Sequence, residues 1–250
     1  MSWFRKVFSS SQTEASPKLS LSWLNADMHS HFIPGIDDGS KSMDESLALL
    51  LKMKDLGYRK CITTPHIKMD MYPNTEEAIL RGFEEVKKEM HHRNFDFPME
   101  VAAEYFLDDS ILPKIEKKSL LNFGKEKFVL VEFSFTNPPV YEKDIFKRML
   151  DKGYTPILAH FERYLYFLGS VDAAATYREL GVNIQMNLNS LTGHYGPEIR
   201  KQAELMMDEV LVDFAGTDAH RMDHLTMLEE HLSLPYLSSL SHRLLKNQGL

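Results

Sequence analysis

The sequence predicts an α/β fold in which seven parallel strands form a closed or nearly closed barrel within a single domain. Short apolar or β-branched runs alternate along the chain with segments of helical period, a pattern typical of repeated strand-helix units. The runs end in polar or metal-ligating residues, as expected when an active site is built from the loops that follow the strands. The length of 250 residues and the hydrophobic content of 43% suit one domain of this size.

The predicted strands are short, and their carboxyl ends carry the residues of chemical interest. They cover residues 21–28, 61–64, 99–103, 128–131, 156–159, 182–186 and 210–215. Six of them lead to histidine or carboxylate side chains, which are His29 and His31, His66, Glu104, Glu132, His160, and Asp218 and His220. The run 182–186 leads instead to Asn187 and Asn189. Because parallel strands end at one edge of a sheet, we expect these side chains to lie close together.

Helical segments separate the strands and carry recognisable start and stop signals. Ser42 with Glu45 forms a capping-box pattern for a helix through Leu47, Leu50 and Leu51 that ends near Gly57. Further helices are predicted for residues 75–91, for 140–152 before Gly153, for 170–180 before Gly181, and for 197–207 starting at Pro197. The alternation of these helices with the strands is what favours a parallel barrel.

Two short motifs far apart in the chain point to metal chemistry. In His29-Ser30-His31 the two imidazoles lie on one side of an extended backbone and can hold the same ion. Asp218 and His220 repeat this spacing near the other end of the chain. Taken singly, each histidine or glutamate has an alternative explanation, which is a polar residue held by hydrogen bonds at the end of the barrel. Their repetition at successive strand ends predicts a metal-dependent hydrolase.

Composition excludes several other classes of function. The net charge of −7 argues against nucleic-acid binding through a broad basic surface, and no apolar run is long enough to cross a bilayer. The single cysteine excludes an internal disulfide framework and fits a reducing, cytoplasmic location. Cys61 is not expected to be a phosphatase nucleophile, because Ile67 occupies the position where that chemistry needs an arginine. We therefore predict a buried structural thiol.

Residues 1–20 are predicted to be a tail outside the domain, which covers residues 21–250. The tail contains apolar and basic side chains, namely Trp3, Phe4, Arg5, Lys6, Val7 and Phe8. Two interpretations are open for it: a short amphipathic turn that contacts a membrane or a partner, or a frayed terminus followed by a serine-rich linker. The stretch has no apolar core of the kind that signal peptides require.

At these residues the sequence resembles the PHP superfamily of metal-dependent phosphoesterases, and within it the bacterial tyrosine-protein phosphatases of the capsule and exopolysaccharide type. The resemblance extends from about residue 25 to residue 220 in the order of the family. The blocks that carry it are Asp27-Met-His-Ser-His31, Gly35-Ile-Asp-Asp-Gly-Ser40, Thr64-Pro-His66, Ala103-Glu104, Val131-Glu-Phe-Ser134, Ala159-His-Phe-Glu-Arg-Tyr164 and Thr217-Asp-Ala-His220.

The resemblance implies a distorted seven-stranded TIM-like barrel with three divalent metal ions, for which manganese is favoured and iron or zinc are alternatives. The implied ligands are His29, His31, Asp38, His66, Glu104, Glu132, His160, Asp218 and His220. By analogy, the first ion takes His29, His31, Glu104 and Asp218; the second takes Glu104, Glu132 and His160; the third takes Asp38, His66 and His220. The spacing in the family selects Asp38 rather than its neighbour Asp37.

The implied chemistry is attack on phosphorus by a hydroxide that bridges the metal ions. Arg163 follows the ligand His160 closely, and its planar fork is suited to bind phosphate oxygens in a bidentate manner. An alternative for Arg163 is a surface ion pair with Glu162. Arg221 directly follows His220, where related sequences often have asparagine, so the outer rim of the phosphate site is expected to differ.

The main functional hypothesis is hydrolysis of phosphotyrosine on a protein, with the tail of a bacterial tyrosine kinase of polysaccharide synthesis and export as the partner. Two alternatives remain. One is a phosphatase for a small phosphate monoester such as histidinol phosphate. The other is a catalytically silent scaffold that binds phosphorylated partners. An open pocket would favour a protein substrate and a closed one a metabolite.

Overall fold

The computed structural model describes residues 20–250 and has an α/β fold built on a curled parallel sheet. The strands are β1 (Ala26–Asp27), β2 (Lys60–Thr63), β3 (His66–Ile67), β4 (Met99–Val101), β5 (Glu104–Phe106), β6 (Phe128–Glu132), β7 (Thr155–Leu158), β8 (Asn183–Asn187) and β9 (Phe214–Gly216). They form a three-stranded sheet of order β1-β2-β4 and a six-stranded sheet of order β3-β5-β6-β7-β8-β9. Every strand pair within these sheets is parallel.

Helices connect the strands and lie against the outer surface of the sheet. They are α1 (Met43–Asp55), α2 (Glu76–His92), α3 (Ile111–Lys117), α4 (Glu142–Asp151), α5 (Asp172–Leu180), α6 (Leu188–Thr192), α7 (Pro197–Asp208), α8 (Met222–Glu230) and α9 (Pro235–Leu240). Within residues 20–250, each helix is too short or too polar to span a lipid bilayer.

Two of the predicted strands, 61–64 and 99–103, end early, and each is followed by a second short strand that was not predicted. The first break is at Thr64 and Pro65, where proline has no N–H to offer a ladder of hydrogen bonds. The second break is at Ala102 and Ala103. Hydrogen bonds continue through both breaks, because the Ala102 N–H donates to the Thr63 carbonyl (2.9 Å) and the Glu104 N–H donates to the Pro65 carbonyl (3.0 Å). The two breaks move the chain from the smaller sheet into the larger one.

The first and last strands also approach each other beyond their regular ends. Ser30 and Ala219 form an isolated parallel bridge. The Asp218 N–H donates to the His29 carbonyl at 2.8 Å, and the His31 N–H donates to the Ala219 carbonyl at 3.0 Å. The two histidines of the first motif therefore lie directly beside Asp218, which is almost two hundred residues away in the chain.

Both faces of the curled sheet are buried, as is usual for parallel sheets. Along β6, Leu130 packs into a small cluster made of strand and loop residues, such as Ile62 and Phe214. Its neighbours Val129 and Val131 pack into a larger cluster that includes the apolar side chains of the helices. The alternation places the small cluster on the inner face and the large cluster between sheet and helices.

The first predicted strand was too long. Residues 22–24 form a 3₁₀ turn, and only Ala26–Asp27 is extended, because Asn25 adopts a positive φ of 67° between them. The predicted helix 140–152 begins later, at Glu142, since Tyr141 has a φ of 66° and lies outside the helix. At α1, the Ser42 hydroxyl accepts from the Glu45 N–H as predicted (3.3 Å), but the Glu45 carboxylate accepts from the Lys41 N–H.

Four helices were not predicted: α3, α6, α8 and α9. Each has nine residues or fewer, which is too short for a clear helical period. The predicted amphipathic turn near the amino terminus lies outside the described residues.

Candidate active site

A cavity of about 350 Å³ opens where the strands end, and most of the predicted site residues line it. Seven of the nine predicted ligands contribute to its walls, namely Asp38, His66, Glu104, Glu132, His160, Asp218 and His220. The other two, His29 and His31, are fully buried beneath them. The structure thus brings together the whole set that the sequence singled out.

Glu104 lies at the centre of this set and contacts four imidazoles. Its Oε2 atom is 3.1 Å from His29 Nε2, 3.1 Å from His66 Nδ1 and 3.5 Å from His31 Nε2. Its Oε1 atom is 3.0 Å from His160 Nε2. Burial opposes ionisation of this carboxyl, but the surrounding histidines hold the pKa of Glu104 well below its usual range. The site is therefore organised around a buried, ionised carboxylate.

Asp218 divides its two oxygens between different neighbours. The Oδ1 atom faces the histidines, at 3.3 Å from His29 Nε2 and 3.5 Å from His31 Nε2. The Oδ2 atom accepts hydrogen bonds from Asn187 Nδ2 (2.7 Å) and Arg163 Nη1 (3.0 Å). Because Oδ2 is already occupied by two donors, Oδ1 is the oxygen available to a cation.

The remaining predicted ligands form the outer part of the site. Asp38 Oδ1 lies 3.5 Å from His66 Nε2 and 3.4 Å from His220 Nε2, and the Asp38 side chain is 51% exposed. On the opposite side of His66, its Nδ1 atom lies 3.4 Å from Glu132 Oε1. Glu132 Oε2 is 3.9 Å from His160 Nε2. These contacts link the outer residues to the ring of histidines around Glu104.

Asp37 and Asp38 have different positions, although they are adjacent in the chain. Asp37 is buried, and its Oδ2 atom lies 2.8 Å from His31 Nδ1 and accepts from the His66 N–H at 3.1 Å. Burial disfavours the protonated imidazole, but the contact with Asp37 raises the pKa of His31 well above its usual value. Asp37 therefore orients two histidines from behind, while Asp38 faces the cavity.

Glycine is needed at position 39 of the same turn. A Cβ atom there would lie 2.2 Å from the His31 carbonyl oxygen, a distance at which the turn would have to move. The Gly39 N–H also donates to Asp37 Oδ1 at 2.9 Å. The close approach of this backbone to His31 keeps Asp37 in contact with the imidazole.

Three histidine nitrogens in this cluster are buried without a hydrogen bond. They are His31 Nε2, His66 Nδ1 and His160 Nδ1, of which the first two face the carboxylates. Four groups of three side chains each place one nitrogen or oxygen within 4.8 Å of one another: His31, His66 and His220; His29, His31 and Glu104; His29, His160 and Asp218; and His66, Glu104 and Glu132. Imidazole and carboxylate donors with open coordination capacity suit divalent manganese, iron or zinc. The residues present therefore fit a metal centre.

Two residues of the cluster have left-handed backbone conformations that are uncommon outside glycine. His160 has a φ of 30° and Asp218 has a φ of 49°. Such conformations each cost on the order of 1–3 kcal/mol and persist where the surroundings impose them. Here the His160 N–H donates to Gln185 Oε1 (2.9 Å), an atom that also contacts His29 Nδ1 at 3.1 Å.

Gln185 was not predicted as a site residue. The available signal was a polar residue inside the apolar run 182–186, on a strand that is buried along its whole length. Its amide Nε2 donates to Asn187 Oδ1 at 2.8 Å, so it is hydrogen-bonded on both sides. Gln185 therefore connects the ends of β7 and β8 with His29.

Arg163 points to the cavity and not toward Glu162. Its guanidinium carbon lies 4.4 Å from the centre of the Phe135 ring and 4.3 Å from that of the Tyr195 ring. Glu162 is fully buried on the other side, where its Oε1 atom accepts from the Asn187 N–H (2.9 Å) and from Ser190 Oγ. The alternative interpretation of Arg163 as a surface partner of Glu162 is wrong.

The mouth of the cavity is formed in part by three residues that were assigned no role from sequence and by Arg221, at which the outer rim of the phosphate site was expected to differ. His194, Tyr195 and His224 all line it, and Arg221 borders it with a side chain that is 55% exposed. Arg221 Nη2 lies 3.1 Å from His224 Nε2, and its Nε donates to Asp223. His194 and Tyr195 lie in the turn between α6 and α7, and Arg221 directly precedes α8, so neither strand nor helix periodicity marks these three residues. His224 lies within the short helix α8, which was not predicted.

Cys61 is buried within β2, and Ser30 Oγ lies 3.2 Å from its sulfur. Burial raises the pKa of this thiol well above its usual value. The prediction that Cys61 is buried is confirmed.

Without bound metal, the protein is expected to lose stability as pH rises above neutrality. Burial disfavours the protonated ring of His29, but Glu104 and Asp218 raise its pKa from 6.5 to about 9. Because the pKa of His29 is higher in the folded protein than in the unfolded chain, protonation of the ring stabilises the fold at pH values below the unfolded-state pKa. This stabilisation is lost as pH rises through the folded-state pKa. The shift corresponds to roughly 3 kcal/mol between these two pH values. Urea unfolding of metal-stripped protein across this range measures the loss.

His29→Gln should weaken that pH dependence, because one titrating ring is removed while His31, whose pKa is also raised, remains. His92→Gln is the matched control, since His92 is exposed and lies far from the cavity. A metal-free protein whose stability is constant or increases from pH 6.5 to 9 would contradict the prediction.

The chain was compared with known families and proteins. The model of the family described as "Capsular polysaccharide synthesis, CpsB/CapC" matches residues 25–228. Tyrosine-protein phosphatase YwqE of Bacillus subtilis is 26% identical over 235 residues, which cover 90% of this chain and 92% of that protein. Tyrosine-protein phosphatase CpsB of Streptococcus agalactiae is 28% identical over 202 residues, covering 79% and 83%.

Among solved structures, the fold is shared with a chain from the crystal structures of YwqE from Bacillus subtilis and CpsB from Streptococcus pneumoniae, which are metal-dependent tyrosine phosphatases. The TM-score is 0.74 at 24% identity, with 89% of this chain and 95% of that chain covered. Since the family model spans most of the described residues, from the first motif to α8, this chain belongs to the CpsB/CapC family of capsular polysaccharide synthesis.

Proposed function

We propose that this protein is a metal-dependent tyrosine-protein phosphatase, which hydrolyses phosphotyrosine on a protein to tyrosine and inorganic phosphate. The observation that carries the proposal is the convergence of four histidines on the buried Glu104 carboxylate beside Arg163. The relatives named above are tyrosine-protein phosphatases, and their similarity extends over most of this chain. These two lines of support are independent of each other.

The proposed metal centre holds three divalent ions, with manganese favoured and iron or zinc as alternatives. His29, His31, Glu104 and Asp218 would hold the first ion. Glu104, Glu132 and His160 would hold the second, and Asp38, His66 and His220 the third. When bound, such ions supply a deprotonated water for attack on phosphorus and neutralise charge on the phosphate oxygens.

The side chains of the protein bind and orient the substrate. Arg163 offers the N–H groups that are not used on Asp218 to the non-bridging phosphate oxygens. The rings of Tyr72, Phe135 and Tyr195 line the same cavity and form aromatic walls for the phenyl group. Asp37 and Gln185 keep His31 and His29 in their orientations.

The mouth of the cavity favours a protein substrate over a small metabolite. Met71 and Arg221 border it, and their side chains are exposed. A polypeptide that carries phosphotyrosine can therefore approach without displacing buried residues. We assign the substrate to the tail of a bacterial tyrosine kinase of polysaccharide synthesis and export, and we place the reaction in the cytoplasm, in keeping with the single cysteine.

We further propose that residues 21–250 form one catalytic domain whose two sheets act as a single distorted barrel of seven strands. In that barrel β2 continues as β3, and β4 continues as β5. The bridge between Ser30 and Ala219 supports closure between the first and last strands. This architecture explains why all the site residues lie at one edge of the barrel, where the strands end.

The function is tested by phosphate release from a phosphotyrosine peptide, a phosphoserine peptide and histidinol phosphate. The protein is stripped of metal, assayed, and assayed again after reloading with manganese. His160→Ala should abolish release because it removes a contact of Glu104, whereas His242→Ala, an exposed position, should have no effect. Manganese-dependent release that prefers phosphotyrosine supports the proposal. Preference for histidinol phosphate, or no release at all, contradicts it.

A further inference from the structure

We infer that Tyr195 is a positioning residue, which holds the Arg163 guanidinium in the orientation that binds the phosphate group. The inference rests on the proposed function, because it concerns how that same site holds the phosphorylated substrate. No role was assigned to Tyr195 from the sequence, and its position beside Arg163 is visible only in the folded chain.

The guanidinium of Arg163 lies over two aromatic rings that come from different parts of the chain. Phe135 belongs to the loop after β6, and Tyr195 belongs to the loop after α6. The distances from the guanidinium carbon to the two ring centres are 4.4 Å and 4.3 Å. Both are within the range of a strong cation–π contact, and arginine forms such contacts more often than lysine.

A further contact limits how the guanidinium can rotate. Arg163 Nη1 donates to Asp218 Oδ2, and this oxygen is itself held by Asn187 Nδ2 at 2.7 Å. The two rings and this one hydrogen bond leave the other N–H groups of the fork available to the cavity that Arg163 lines. An unrestrained arginine loses rotamer entropy when it is immobilised on a ligand, whereas an arginine already held in place has lost that entropy before the ligand binds.

The loop that carries Tyr195 is held in a defined conformation by its own sequence. Gly193 and Gly196 flank it with φ values of 87° and 97°, which other residues rarely adopt. The His194 ring packs edge-on against the Tyr195 ring at 4.7 Å. The Tyr195 hydroxyl has only a long contact of 3.5 Å with Asn187 Nδ2. The face of the ring, and not the hydroxyl, is therefore the part that acts on Arg163.

The test is a double-substitution cycle with Tyr195→Met, Arg163→Ala and the combined variant, assayed with 4-nitrophenyl phosphate after manganese loading. Tyr195→Met keeps a long apolar side chain, although a smaller one, and removes the aromatic face. It should raise KM about tenfold with a smaller change in kcat, the effect expected for a desolvated cation–π contact. Tyr195→Phe keeps the aromatic ring, so the KM of this variant should be within about twofold of that of the original protein. Inhibition by inorganic phosphate should weaken in the same proportion as KM.

In the Arg163→Ala background, Tyr195→Met should have almost no further effect, because the residue through which it acts is absent. Additive losses in the combined variant would overturn the inference, as would a Tyr195→Phe protein as impaired as Tyr195→Met. Thermal unfolding and metal content should be equal in Tyr195→Met and Tyr195→Phe. If Tyr195→Met does not fold, Tyr195→Leu takes its place, because it also removes the aromatic face beside Arg163, and the same non-additivity is expected.

The inference and the proposed function fail in distinguishable ways. If the original protein releases phosphate and Tyr195→Met is unchanged, only the role of Tyr195 is overturned. If the original protein releases no phosphate from any ester under these conditions, the proposed function is overturned together with the role of Tyr195 in it.

Discussion

Replacement of Glu104 by glutamine is expected to reduce the rate of phosphate release by at least about 10³-fold and to lower the bound metal content. Glu104 is fully buried and contacts the imidazoles of His29, His31, His66 and His160 with its two oxygens. Glutamine has nearly the same shape but carries no charge, and its amide group can turn a donor toward histidines that need to face a cation. The loss should therefore exceed that of any other single conservative change in the site.

The measurement combines phosphate release from a phosphotyrosine peptide with determination of metal by mass spectrometry of the purified protein. Glu76→Gln is the matched control, because Glu76 is a mostly buried glutamate that pairs with Lys114 at 2.7 Å and does not line the cavity. Circular dichroism should show the same fold for both variants. A Glu104→Gln protein with full metal content and normal activity would contradict the proposed centre.

Replacement of Arg163 by alanine is expected to lower kcat/KM by about 10²- to 10³-fold while leaving metal content unchanged. The large effect follows from the loss of a planar, charged donor group on the cavity wall, where phosphate charge has to be neutralised. Metal content should be retained because Asn187 still donates to Asp218 Oδ2 at 2.7 Å. The combination of low activity with normal metal distinguishes a phosphate-binding role from a role in holding Asp218.

Arg163→Lys should recover only part of the activity, since an ammonium group keeps the charge but lacks the bidentate fork. Arg200→Ala is the matched control, because Arg200 pairs with Glu204 on the surface of α7, away from the metal centre. Equal activity of Arg163→Ala and the original protein would exclude Arg163 from phosphate binding. Loss of metal in Arg163→Ala would indicate instead that its main contact is the one with Asp218.

The two variants separate two parts of the site. Glu104 joins the histidines to one another, so its replacement affects both metal content and rate. Arg163 lies beside the metal centre and contacts only one of its carboxylates, so its replacement affects the rate alone. Kinetics and metal analysis of both proteins, made under the same conditions, therefore distinguish the assembly of the centre from the binding of phosphate.

Sequence by itself determined which residues at the strand ends reach the site, because strand ends are local features. The apolar run 128–131 is followed directly by Glu132, and 156–159 by His160, and in the structure both residues lie at the edge of the cavity. Parallel pairing then brings such ends together for any chain with this alternation. The choice of Asp38 over Asp37 came from the resemblance to a family, not from the pattern of residues, and the structure places Asp38 at the cavity and Asp37 behind His31.

Only the tertiary structure decided which residues support the site and how they point. Gln185 looks like an isolated polar residue in an apolar run, and its contacts with His29 and with the His160 N–H join positions 156 and 25 residues away. Likewise, Arg163 meets Tyr195 and Phe135 only after three separate segments of the chain have come together. Local periodicity reports which face of an element is buried, whereas these contacts depend on the packing of distant loops, for which the sequence carries no periodic signal.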